Sequence, residues 1–139
     1  MTESVGRVLF QTQNTLIDHL GIVVLEATAV RVVASMPVGP QTHQPMGLLH
    51  GGASVALAET VASLGACLSV QSRGMVAVGL EINANHLRGV RSGTVTATAT
   101  PIHQGRTTEV WQIDIVDGQG RAVCTSRCTL AIVPVTAPS

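Results

Sequence analysis

One segment constrains this chain more than any other. From His50 or Gly51 to about Val70 runs a stretch of Ala, Leu, Val, Ser and Gly that holds a single carboxylate, Glu59, near its centre. Ala, Leu and Glu favour helix, and the run is longer than any ordinary strand. It is also the most membrane-like window of the sequence. A carboxylate at mid-bilayer is costly, however, and small residues such as Ala53, Ser54, Ala58, Ala62 and Gly65 make the window only mildly hydrophobic. It reads as a buried helix of a soluble protein, which places the protein in the cytoplasm, not in a membrane. The small side chains would let a sheet pack closely around it. Met1–Phe10 carries an acid and no long apolar run, which argues against a signal peptide.

The rest of the chain is organised around that helix. Asn14–Leu20 reads as a short helix. Gly21–Ala27 and Ala29–Val38 are rich in Val and Ile and read as strands. Gly39–Gly47 is broken by Pro40 and Pro45 and reads as a loop. After Met75 everything reads as strand. Thr94–Thr100 alternates Thr with Val or Ala, and Thr108–Val116 places Trp111, Ile113 and Ile115 on one face with Gln112 and Asp114 on the other. Asp117-Gly118-Gln119-Gly120 signals a turn before a last strand, Arg121–Val133. Two strands, one long helix and about four strands predict an α+β layer with an antiparallel sheet. Residues 1–139 form one domain, with loose termini over 1–13 and 134–139.

Composition limits the partners. Hydrophobic residues make up 45% of the chain and charged residues 12%. So little charge leaves a monomer's surface short of cover, and one helix covers only one face of a sheet. Another subunit is expected on the other face or on an edge. The net charge is zero, with eight arginines and eight acids, and the only large aromatics are one Trp and one Phe. Neither a basic stripe nor a base-stacking platform for nucleic acid follows from that. Cys67, Cys124 and Cys128 are odd in number and read as buried small hydrophobes.

The chemistry-bearing segment is Gln44-Pro45-Met46-Gly47-Leu48-Leu49-His50-Gly51-Gly52, followed by Ala58-Glu59-Thr60. A glycine pair at a helix start lets a ligand approach unpaired N–H groups at the positive end of the helix dipole. Such a site could polarise a carbonyl and stabilise an oxyanion; a plain loop-to-helix turn uses the same residues. Glu59 interrupts an apolar stretch, where a carboxylate needs a partner, a function or a route to solvent. Ser63 lies one turn on, placed to hold Glu59 or a water, or to bond back to its own helix. His43, His50 and Glu59 fit no zinc spacing of the HExxH kind, so no metal is expected. A GxSxG elbow, a GxGxxG loop and a P-loop are absent from the sequence.

These residues resemble a known family. Gly47-Leu48-Leu49-His50-Gly51-Gly52-Ala53, with Ala58-Glu59-Thr60 behind it, is similar to the hotdog thioesterases of the phenylacetate-pathway and 4-hydroxybenzoyl-CoA type. The branch with the menaquinone-pathway dihydroxynaphthoyl-CoA and enterobactin proofreading thioesterases is the nearest in motif. Gln44-Pro45, Asn83-Ala84-Asn85-His86-Leu87-Arg88, His103-Gln104-Gly105-Arg106 and Trp111-Gln112-Ile113 extend the likeness over roughly Asn14–Val133. The resemblance implies a hotdog fold, an antiparallel sheet wrapped around one central helix. It also implies a homotetramer built from dimers, active sites shared between chains, and hydrolysis of acyl-CoA without a cofactor. Glu59 would be the general base or the nucleophile. The Gly51 N–H would bind the thioester oxygen, Gln44 and His50 would orient the thioester, and Ser63 would assist Glu59 or the water. Gly79, the stretch His86, Leu87, Arg88 and Gly89, and the loop His103, Gln104, Gly105, Arg106, Thr107 and Thr108 would contact CoA. Arg88 and Arg106 would pair with its phosphates. Leu87 departs from the polar residue often found at its position. Aromatic acyl groups are the preferred substrates on the same likeness.

Three rivals remain. A thioesterase for carrier-protein-bound acyl groups would turn over carrier-loaded substrate faster than the CoA form. A non-catalytic CoA-binding protein would bind without turnover. A hotdog hydratase usually needs a His–Asp pair, whereas the carboxylate here is Glu59 in mid-helix.

Overall fold

The computed structural model describes residues 11–135; the readings of Met1–Phe10 and of the tail after Val135 lie outside them. The elements run α1 (Leu16–His19), β1 (Val23–Ala27), β2 (Val32–Val38), α2 (Gly51–Val70), β3 (Met75–His86), β4 (Gly93–Gln104), β5 (Thr108–Val116) and β6 (Ala122–Pro134). The six strands form one antiparallel sheet in the order β1-β2-β4-β5-β6-β3. The chain passes through α2 between β2 and β3, and β3 becomes the sheet edge next to β6. Pro134, expected in a loose tail, closes β6 opposite Met75.

The long helix has the expected bounds because both ends are fixed locally. His50 is extended, and its Nδ1 accepts a hydrogen bond from Gly52 N at 2.8 Å, satisfying one of the free N–H groups of the first turn. Beyond Val70 a single 3₁₀ turn, Gln71–Arg73, leads to Gly74 at φ +69°, a conformation that reverses the chain into β3 at little cost for glycine.

The buried residues of α2 fall mainly in two adjoining rows, Ala53-Leu57-Val61-Gly65 and Ser54-Ala58-Ala62-Ala66. They face the inner side of the sheet. β2 contributes Val32, Ala34 and Met36, β4 contributes Val95, Ala97 and Ala99, and β5 contributes Trp111, Ile113 and Ile115, all fully buried. Strict alternation sends the β4 threonines, Gln112 and Asp114 to the outer face. That face is mostly polar over β4 and β5. Exposed large apolar side chains include Val78 and Leu80 on edge strand β3, Leu16, Val23 and Leu25 around α1 and β1, and Ile102 on β4.

Sheet and helix pack closely at Gly65. A methyl group built there would lie 2.4 Å from Trp111 Cη2. Trp111 is held from the strand side, where its Nε1 donates to Glu109 Oε1 at 2.8 Å and Ser69 Oγ lies 2.5 Å from Glu109 Oε2. Glu109 is thus a buried carboxylate with a donor on each oxygen, which is what makes its burial tolerable.

Two stability predictions follow from these contacts. Helix propensity alone favours Gly65→Ala by about 1 kcal/mol. Overpacking against the indole costs ~1–3 kcal/mol, so the urea midpoint should fall; a raised midpoint would show that the ring yields freely. His50→Ala should lose the helix cap, worth ~0.5–2 kcal/mol, and His50→Asn should restore most of it. Equal midpoints for the two variants would remove the capping role.

Candidate active site

The loop before α2 is pinned by its own backbone. Gln44 N donates to Leu48 O at 2.7 Å, Gly47 N to Gln44 O at 3.0 Å, Leu49 N to Val90 O at 2.7 Å and His50 N to Thr42 O at 2.7 Å. Gly47 turns the chain at φ +76°. The Gln44 side chain braces the same turn by accepting from Met46 N. The loop delivers Gln44 and Gly51 to one cleft of about 380 Å³, lined also by Leu48, Ser54, His86 and Arg88. Among the described residues Gly51 N has no hydrogen-bond partner in the chain. The His86 ring stands directly over Gly51, and a methyl group at Gly51 would lie 2.8 Å from His86 Nε2. An open N–H, an imidazole and a carboxamide thus converge on one space at the positive end of a helix. That arrangement suits the oxygen of a polarised carbonyl.

Glu59 and Ser63 are not in that cleft. They line a separate groove of about 310 Å³ walled by Leu16, Ile17, Ala56 and Thr60. The eight helical positions from Gly51 to Glu59 separate their backbones by ~12 Å along the axis. Glu59 instead meets the edge strand, with its Oε1 against the bare Cα of Gly79.

The other sequence-predicted residues divide in the same way. His86, Leu87, Arg88 and Gly89 line the Gly51 cleft. The His50 side chain caps α2 and lines a neighbouring cavity with Leu20 and Gly52. His103, Gln104, Gly105, Arg106, Thr107 and Thr108 form the β4–β5 hairpin, where Gln104 Nε2 donates to Ala29 O at 2.8 Å and Ile132 N to Thr107 O at 2.9 Å. His86 pairs with Cys124 and Thr108 with Ala131, so the two stretches meet β6 seven positions apart, or ~23 Å at the rise of a strand. One chain does not bring them together.

Ser54, buried at the floor of the cleft, carried no role in the sequence reading. Its place one turn after Gly51 was the available signal. Leu16 and Ile17 beside Glu59 had none, because α1 reaches the helix only through the tertiary fold. The cysteines are poor nucleophiles. Burial foremost, then the negative charges of Glu59 and Glu81, pushes the Cys128 thiol up to about 12, and burial raises Cys67 and Cys124 as well. Among the described residues no group of three His, Cys, Asp or Glu side chains is arranged to hold a metal.

Known proteins align with this chain along most of its length. The family model described as the thioesterase superfamily matches residues 46–124. The proofreading thioesterase EntH of Cronobacter sakazakii is 48% identical over 120 residues, covering 86% of this chain and 87% of the relative. The crystal structure of a thioesterase from Haemophilus influenzae superposes with a TM-score of 0.89 at 46% identity, over 99% of this chain and 93% of that one. A Staphylococcus aureus protein, 40% identical with TM-scores of 0.84 and 0.83 over 87% and 86% of this chain and 100% and 98% of its own, has been crystallised as a glutamate-to-alanine and as a glutamine-to-alanine variant. The helix wrapped by an antiparallel sheet, the motif at its start and these matches agree: the chain belongs to the thioesterase superfamily and is a hotdog-fold thioester hydrolase.

Proposed function

We propose that the protein hydrolyses acyl-CoA, aromatic acyl-CoA in particular, in the cytoplasm, and that each active site is built from two chains. One observation carries the reading. The open Gly51 N–H and the Glu59 carboxylate lie in different cavities of one chain, ~12 Å apart along α2. A base has to come within ~3 Å of the proton it removes. Glu59 also lies beside β3, the sheet edge that carries exposed Val78 and Leu80. A second copy joined at that edge with its helix antiparallel would bring its Glu59 to this chain's Gly51, and two-fold symmetry would make two equal sites. Two such dimers would form the homotetramer.

In this site Gly51 N–H donates to the thioester oxygen, with Gln44 and His86 flanking it. Glu59 of the other chain takes a proton from water as the water oxygen attacks the carbonyl carbon. The tetrahedral oxyanion is held at Gly51. The C–S bond then breaks, and the CoA thiolate recovers the proton, leaving free acid and CoA. Direct attack by Glu59, through an anhydride that water later opens, uses the same placement. Ser63, one turn from Glu59, holds the carboxylate or the water. The S. aureus variants support the choice of residues, because their glutamine and glutamate stand as far apart in sequence as Gln44 and Glu59. A second reading, hydrolysis of carrier-protein thioesters, is favoured by the proofreading name of EntH. The ratio of kcat/KM on carrier-loaded and CoA-loaded acyl groups separates the two.

The shared site is tested by complementation. Glu59→Ala and the double variant Gln44→Ala, His86→Ala should each lose ~10²–10⁴ in turnover. Co-refolded mixtures should recover about a quarter of wild-type activity, because half the dimers are mixed and each has one intact site. Mixed dimers without activity would sink the two-chain site; a Glu59→Ala variant with most of its kcat would sink the mechanism.

The nucleotide end is tested separately. Arg88 opens onto the Gly51 cleft, whereas Arg106 would have to come from another chain. Loss of a charged hydrogen bond to phosphate, ~1.5–3 kcal/mol, should raise KM for acyl-CoA by about 10–100-fold in Arg88→Ala. KM for the matching pantetheine thioester, which lacks the nucleotide, should hardly change. Arg106→Ala should behave alike. Equal effects on both substrates would return either arginine to a structural role.

A further inference from the structure

Gly79 sits on edge strand β3 directly against the Glu59 carboxylate. A methyl group built on Gly79 would lie 2.3 Å from Glu59 Oε1 and 3.4 Å from its Cδ. Its backbone does not need glycine, since Gly79 is absent from the residues with positive φ. Glycine inside a strand weakens it and commonly marks a close approach. Here the thing that approaches is the carboxylate. Immediately after Gly79 the pairing with β6 slips. Gly79 pairs with Leu130 and Glu81 with Thr129, leaving Leu80 as the extra residue of a bulge. A bulge bends its strand and re-aims the neighbouring side chains.

We infer that Gly79, with the bulge at Leu80, is the positioning residue for Glu59: the missing side chain is the seat that lets the carboxylate lie across β3 toward the open sheet edge. The inference rests on Glu59 being the catalytic carboxylate, and it replaces the CoA contact that family likeness assigns to Gly79. A side chain at position 79 would push the carboxylate off its line by about a methyl radius. A misplacement near 1 Å in a catalytic group costs ~10²-fold in rate. Substrate binding at the Gly51 cleft would be untouched, because Gly79 does not line it.

The test is Gly79→Ala in two backgrounds. In the wild-type background kcat should fall about 10–100-fold, with KM for acyl-CoA nearly constant, and the melting temperature should change little, because the displaced atom is the end of a flexible side chain. In a Glu59→Ala background the same substitution should raise the melting temperature, since alanine in a permitted strand conformation narrows the unfolded ensemble and no carboxylate remains to collide with. Unchanged kcat, a raised KM with intact kcat (a CoA contact), or equal destabilisation in both backgrounds (a plain strand role) would each overturn the inference. Glu59→Ala with wild-type turnover would instead overturn the proposed function, so the two failures are distinguishable.

Discussion

Everything in this molecule depends on how closely the sheet closes over α2. Gly65 lies directly under the Trp111 ring, and the ring is fixed by its bond to buried Glu109. Alanines and a serine fill the row beside it. Small residues on the helix and branched or aromatic residues on the strands let the two layers interdigitate at crystal-like density. The helix is thereby held rigidly, which matters because its first turn and its middle both carry chemical groups. A general consequence of such packing is that a site built on a rigid element is more exact than one built on loops.

The same packing divides the helix into two sides. The side facing the sheet is covered completely; the other carries Glu59, Thr60, Ser63 and Ala56 into an open groove. A carboxylate therefore sits in an apolar helix without being buried by its own chain. The cost expected for burying it falls, under the two-chain reading, on the assembled enzyme, where exclusion of water would also strengthen its electrostatic effect. Positions in the first turn and in the middle of one helix then serve two different sites.

Much of this was legible in the sequence, for reasons that can be named. The bounds of α2 follow from His50, which caps it, and from Gly74, which ends the turn beyond it. The inward face of Thr108–Val116 follows from its period of two, but Glu109, buried on the same side as Trp111, went unremarked in the sequence because nothing there shows the Ser69 and Trp111 donors that make its burial tolerable. The two proposed CoA-contacting stretches were harder to place. They flank β4, a strand of twelve residues, and a strand carries its two ends apart; only the pairing register gives the separation. The His50 side chain could have turned to either side of the loop. The seat at Gly79 had no sequence signature at all, because it joins residues twenty positions apart through the edge of the sheet.

The unpaired edge of β3 has a further consequence. It presents free backbone N–H and C=O groups together with Val78 and Leu80, a combination that invites indiscriminate strand pairing. Under the two-chain reading the partner that hides this edge is also the partner that completes catalysis. Dilution would then silence the enzyme and make it sticky in the same step, through one association constant. The abundance of the protein in the cell would set its specific activity, and a chain too scarce to find its twin would be both idle and exposed to clearance.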